Sequence, residues 1–283
     1  MIFYKYQGAG NDFLIADNRD GSIIVMNGVL RSSEEGQKDI VISQLCDRRY
    51  GVGADGLMLL ESSDDYDFRM NYFNSDGSGG MMCGNGGRCI VAFAADSGFV
   101  RFDFEAADGF HAAQIISENG AEKQVRLKMK DVTEVIAFNA LTGVAVPSDG
   151  MFLDTGTRHY VRFVKDLDTY DVVNEGREIR FKAEELLPVG ANVNFVEPQD
   201  DMLKVRTYEK GVEDETFACG TGIVASCVAA FKSGFAPHRE DSGRVEYVVK
   251  AKRDMLSVDF MPASPASDVW LTGPATRVAI VRI

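Results

Sequence analysis

The chain has 283 residues, enough for one large domain or two of ordinary size, each with its own core. Hydrophobic residues make up 45% and charged residues 26%, and no apolar run approaches the roughly 20 residues that a membrane helix needs. Net charge is −13, from 43 acidic against 30 basic residues, and no Lys/Arg stripe offsets it, so nucleic acid is excluded as a partner.

Taken in chain order, strand-like alternation dominates. The opening MIFYKYQGAG lacks the regions of a signal peptide, so a cytoplasmic location is expected, and Ile2–Tyr6 reads as a first strand. A helix is predicted over Glu34–Cys46, with Ser32-x-x-Glu35 as its capping box. Gly51-Val52-Gly53-Ala54-Asp55-Gly56 satisfies the G-x-G-x-x-G pattern, but Leu57–Leu60 after it reads as a buried strand rather than a helix, so the segment is a turn. Further strands are predicted over Asp67–Phe73, Phe99–Phe104, Val125–Met129, His159–Val164, Lys204–Tyr208 and Arg244–Val249. A helix lies near Tyr170–Arg177, and the two clearest helices follow Cys83 and Cys219. The fold class is α+β, with sheets wrapped around a small number of helices.

An internal repeat underlies those last two helices. Cys83-Gly84-Asn85-Gly86 opens an apolar stretch ending in Ser97-Gly98-Phe99, and Cys219-Gly220-Thr221-Gly222 opens another ending in Ser233-Gly234-Phe235. Cysteine and serine are 14 residues apart in both copies, and the copies are 136 residues apart. Gly98 and Gly234 fall where a left-handed C-terminal cap is wanted. The spacing favours a duplication: two related domains, each built around one central helix that begins at a thiol.

A thiol in the first turn of a helix meets unpaired N–H groups and a partial positive charge, which favour the thiolate. The glycines that follow let backbone approach a ligand, and their N–H groups suit a carboxylate. Two such thiols, facing across a cleft, supply what inversion beside a carboxylate requires, namely one base and one acid of matched pKa. The converging helix starts would stabilise the carbanion, with no pyridoxal lysine and no other cofactor. Cys46, Cys89 and Cys227 read as buried packing. Five cysteines without an export signal argue against a disulfide framework, and without a CxxC, with His111, His159 and His238 scattered singly, no metal site is expected.

At these residues the chain resembles the diaminopimelate epimerase family. The matching segments are Gly8–Phe13, Arg49–Asp55, Phe73–Ser78 leading into Met82–Gly86, Asp154–Gly156 before His159, Asn192–Phe195, and Tyr208-Glu209 leading to Glu215–Gly222, all in family order. The resemblance implies interconversion of LL- and meso-diaminopimelate, in lysine and peptidoglycan precursor synthesis, with a small amino-acid substrate as partner and a homodimer left open. It implies Cys83 and Cys219 as catalytic thiols with His159 and Glu209 beside them. It places Asn11, Asn74, Gly84, Asn85, Thr157, Asn192, Glu209, Lys210, Gly220 and Thr221 at substrate-binding positions. It also implies two pseudo-symmetric halves with the active-site cleft between them: residues 1–120, joined by a returning C-terminal strand (272–283), and residues 121–271. The chain departs from the family pattern in four places. Lys210 stands for the usual Arg, and Thr157-Arg158 for Asn-Pro. Gly56 stands for a frequent Gln, and the loop Gly211–Glu215 is one residue longer. Lysine keeps the charge but loses the bidentate fork. Two other readings stay open: a racemase acting on another amino acid such as proline or hydroxyproline, and a thiol redox or ligand-binding protein without turnover.

Overall fold

The computed structural model describes residues 1–33, 36–137, 150–182 and 188–283. It is strand-rich with few helices, the α+β class read from the sequence, and divides into two compact units, Met1–Leu127 with Gly273–Ile283, and Lys128–Thr272.

The first unit contains β1 (Ile2–Gly8), β2 (Asn11–Asp17), a small sheet of β3 (Ile23–Met26), β4 (Val29–Ser32) and β5 (Ile40–Val41), and α1 (Ile42–Leu45). There follow β6 (Gly56–Glu61), β7 (Phe68–Asn74), α2 (Gly84–Asp96), β8 (Phe102–Ala106), β9 (Gly109–Asn119) and β10 (Glu122–Lys128). Alternation decides the faces. Leu14, Ala16, Leu57 and Leu59 join Leu30, Ile42 and Leu45 in one core under the small sheet. The opposite face of β1, β2 and β6 packs on α2, whose residues from Gly84 to Ala94 are all buried. A helix that is apolar all round belongs inside a fold.

The second unit contains β11 (Glu134–Ala137), β12 (Gly150–Asp154), β13 (Arg158–Phe163), α3 (Val172–Lys182), β14 (Asn192–Pro198), β15 (Leu203–Glu209), β16 (Asp214–Thr216), α4 (Gly220–Lys232), β17 (Arg239–Asp241), β18 (Arg244–Lys250), β19 (Met255–Met261) and the start of β20 (Ser267–Arg282). Phe152, Tyr160, Val193, Phe195 and Tyr208 meet Val172 and Ile179 of α3 in one core. The other face of β12–β15, with β19, packs on α4.

The two units repeat one topology. In the first, β1–β2 is antiparallel, β2–β6 parallel, β6–β7 antiparallel, β7–β8 parallel with α2 between them, and β8–β9 and β9–β10 antiparallel. In the second, β12–β13, β13–β14, β14–β15, β15–β18, β18–β19 and β19–β20 follow the same sequence of orientations, with α4 between the parallel pair β15 and β18. The later residues of β20 pair with β1, and the chain ends meet: the Met1 amino group donates to the Ile283 carbonyl at 2.7 Å, and the Ile283 N–H to the Met1 carbonyl at 3.0 Å.

Two predicted elements differ. Glu34 and Glu35, and with them the capping box, lie outside the described residues; beyond them Ile40–Val41 is strand and only Ile42–Leu45 is helical. The β-branched pair is recruited by β4, with Val41 opposite Val29 and Ile40 opposite Leu30. The strand predicted from Phe99 starts at Phe102, because the Phe99 N–H is engaged at the end of α2.

Candidate active site

Cys83 and Cys219 are the N-caps of α2 and α4, both in extended backbone conformation. The first helical bonds, Gly87 N–H to Cys83 carbonyl and Ile223 N–H to Cys219 carbonyl, are 2.8 and 2.9 Å. Cys83 Sγ accepts the N–H of Gly86 at 3.3 Å, the bond that a Ser or Thr hydroxyl makes at an N-cap. A side chain at the matching third helical position would be tight in the first copy and would clash in the second. A Cβ on Gly86 would lie 3.3 Å from Cys83 Sγ, and one on Gly222 would lie 2.3 Å from Asn194 Oδ1. Cys83 is exposed and Cys219 is buried at 9%.

Around Cys219 the structure assembles Thr157, His159 and Thr221. Cys219 Sγ is 3.5 Å from Thr221 Oγ1, which lies 3.0 Å from His159 Nε2 and 3.1 Å from Thr157 Oγ1. Thr157 Oγ1 is also 3.0 Å from His159 Nε2. His159 is fully buried, and burial pushes its pKa down to about 3, so the imidazole is neutral. Its Nδ1 meets the amide of Asn194 at 3.1 Å, and that amide also donates to the Tyr160 carbonyl at 3.1 Å and accepts from Thr207 Oγ1 at 2.9 Å. Asn192 sits opposite His159 in the β13–β14 ladder and accepts the Lys210 N–H at 2.8 Å. Glu209 ends β15, half-buried, while Lys210 is exposed with Nζ 3.3 Å from the Val189 carbonyl.

Around Cys83 a relay of donors runs in one direction. Arg88 Nη2 donates to Asn85 Oδ1 at 2.8 Å, Asn85 Nδ2 to Asn11 Oδ1 at 2.7 Å, and Asn11 Nδ2 to Asp55 Oδ2 at 2.9 Å. Arg48 then bridges Asp55 and Asp12 at 2.6 Å each. Arg88 is fully buried and also holds the Gly84 carbonyl at 3.2 Å. Asn74, at the end of β7, is tied into its own turn by Ser78 Oγ at 3.0 Å.

Register places these groups in correspondence. Phe13 pairs with Gly56, and Gly56 with Asn74; His159 pairs with Asn192, and Val193 pairs with Tyr208, which sets Asn192 beside Glu209. Asn11 therefore matches Thr157, Phe13 matches His159, Gly56 matches Asn192, Asn74 matches Glu209, and Asn85 matches Thr221. The Asn11–Asn85 contact of the first unit recurs as Thr157–Thr221 in the second. Gly56 has a local cause, since a Cβ there would lie 2.5 Å from the Phe73 carbonyl and the Tyr72 ring.

Sequence reasoning passed over Arg88, Asp55, Arg48, Asn194 and Thr207. Two signals were available: Arg88 is a lone charge in the apolar run of α2, and Asn194 shares a strand face with Asn192 by period two. Cys46, Cys89 and Cys227 are buried, and desolvation raises all three thiols, Cys46 to about 11. Among the described residues no three His, Cys, Asp or Glu side chains are grouped to hold a metal, and no helix is long and apolar enough to cross a membrane.

Solved structures of distant sequence share this fold. A hydroxyproline epimerase from Agrobacterium vitis superposes with TM-score 0.68 at 15% identity, over 100% of this chain and 90% of its own. A phenazine biosynthesis protein of the PhzF family from Bacillus anthracis gives TM-score 0.68 at 15% identity, over 100% and 98%. This fold has two pseudo-symmetric domains. Within it, the diaminopimelate epimerase sequence model matches residues 3–135 and 151–258. Diaminopimelate epimerases from Flavobacterium psychrophilum and Aquifex aeolicus are 40% and 38% identical, covering 98% of this chain and 98% and 96% of theirs. The chain belongs to the diaminopimelate epimerase family and is an isomerase.

Proposed function

We propose that the protein interconverts LL- and meso-diaminopimelate by two-base proton transfer at Cα, with Cys83 and Cys219 serving the two faces of the stereocentre. The observation that carries this is the pair of thiols, each N-capping the equivalent helix of a duplicated unit. One thiolate removes the Cα proton and becomes a thiol. The other thiol delivers its proton to the opposite face and becomes a thiolate, so one S–H bond forms as another breaks, no carbon–sulfur bond is made and no electrons are transferred to a cofactor. The first-turn N–H groups of α2 and α4 offset the charge that develops on the substrate.

In this scheme Asn11, Asn74, Gly84 and Asn85 of the first unit, and Thr157, Asn192, Lys210, Gly220 and Thr221 of the second, hold the substrate. His159 and Glu209 act beside the thiols, and Glu209 also contacts substrate. Lysine and peptidoglycan precursor synthesis, a cytoplasmic location and a homodimer complete the proposal; light scattering after size exclusion reads the last of these.

The test is solvent deuterium incorporation at Cα across a panel of amino acids. Exchange into LL- and meso-diaminopimelate is expected, falling about a hundredfold or more in Cys83→Ala and in Cys219→Ala. Exchange confined to proline or hydroxyproline would replace the substrate assignment, and wild-type rates in either variant would end the two-base assignment.

A further inference from the structure

We infer that Asn194 and Thr207 are positioning residues that lock His159 as its Nε2–H tautomer, so that the imidazole acts as a fixed hydrogen-bond donor which aims the Thr221 hydroxyl at Cys219. This deepens the two-thiol reading and rests on it for the role of Cys219.

The tautomer follows from hydrogen-bond logic. The Tyr160 carbonyl can only accept, so the end of the Asn194 amide that lies 3.1 Å from it is the NH2. The other end is then the oxygen, and it accepts from Thr207 Oγ1 at 2.9 Å. The same NH2 lies 3.1 Å from His159 Nδ1, which must therefore accept. A neutral imidazole that accepts at Nδ1 carries its hydrogen on Nε2. That hydrogen points at the hydroxyls of Thr157 and Thr221, both 3.0 Å away. With its oxygen accepting from the ring, the Thr221 hydroxyl turns its own hydrogen toward Cys219 Sγ at 3.5 Å. A donor held on sulfur favours the thiolate.

The duplication provides an internal control. Counting along the paired strands from the equivalences above, His159, Asn194 and Thr207 correspond to Phe13, Met58 and Tyr72 of the first unit. Phe13 and Met58 are fully buried there, and a Cβ on Gly86 would meet Met58 Cε just as one on Gly222 would meet Asn194. The fold thus fills these positions with apolar and aromatic side chains when packing is all that is needed. Buried polar groups demand partners, so three mutually satisfied ones at the same places reflect the demands of Cys219.

Two measurements test this on the full chain, and neither needs turnover. In 15N-histidine protein, long-range 1H–15N correlation distinguishes His111, His159 and His238 and reads the tautomer of each. His159 is expected with bare Nδ1 and protonated Nε2 from pH 5.5 to 8.5; an Nδ1–H tautomer or an imidazolium would overturn the inference. Second, iodoacetamide labelling is followed against pH by peptide mass spectrometry in wild type, Thr207→Val and Asn194→Met, the latter borrowing the side chain of the first unit. Cys219 is expected to label about tenfold more slowly at pH 7 in both variants, with Cys83 unchanged as the control. Unaltered Cys219 labelling, or equal slowing of both thiols, would refute it. If the spectra and labelling come out as expected while no amino acid exchanges, the fault lies with the proposed function instead.

Discussion

Moving an imidazole out of water penalises its charged form, and at His159 the penalty reaches the whole molecule through linkage. The folded pKa is about 3, against 6.5 for a free histidine. Between those values the unfolded chain holds a proton that the native protein does not. Stability from this source is complete above pH 6.5 and is lost as pH falls toward 3. At pH 4.5 the loss is about 2–3 kcal/mol. Urea unfolding at pH 7 and pH 4.5 should show that much more acid loss in wild type than in His159→Gln. Asp12 and Asp96, whose carboxyls sit among Lys and Arg partners, contribute below their ordinary range equally in both proteins. Equal losses in the two proteins would count against a buried neutral His159.

The two helices share their last turn as well as their first. The Phe99 N–H reaches the Ala94 carbonyl and the Gly98 N–H the Ala95 carbonyl; Phe235 to Ala230 and Gly234 to Phe231 repeat the pattern, at 3.0–3.1 Å. Gly98 and Gly234 have φ of +94° and +80°, and no atom lies within 4 Å of a Cβ built on either. Alanine there pays only for the left-handed backbone, so Gly98→Ala and Gly234→Ala should each cost about 1 kcal/mol in denaturant unfolding, nearly equally. A much larger loss in one would mean that its cap has contacts beyond the backbone. These helices were legible in the sequence because capping chemistry is local: Cys-Gly-x-Gly opens them and Ser-Gly-Phe closes them. Strands were legible for the same reason, through period two. The segment Ile40–Leu45 was not, because its strand half exists only by pairing with Val29 and Leu30, which no window around it reveals. Arg88, Asn194 and Thr207 were hidden for a related reason, since a polar residue announces neither its burial nor its partner until the chain is folded.

At the scale of the molecule, the repeat of strand orientations shows that the matched Cys-Gly-x-Gly segments are the visible part of a duplication covering most of each unit. The halves have since diverged around their thiols, one toward a buried arginine and asparagine relay, the other toward a neutral histidine and two threonines. Chain order hides this arrangement, because the first unit is interrupted: its last strand segment arrives only after the second unit is finished. The bonded ends at Met1 and Ile283 offer a way to undo that interruption. A circular permutant that joins Ile283 to Met1 through a short glycine linker and opens between Lys130 and Asp131 would carry the first unit, and all but the first three residues of the second, as continuous stretches. It is expected to fold and to retain Cα exchange, checked by circular dichroism and by the deuterium assay, and a permutant that folds but does not exchange would show that the original connectivity matters to catalysis itself. The first half could then be expressed from one uninterrupted gene fragment, which the natural order of the chain does not permit.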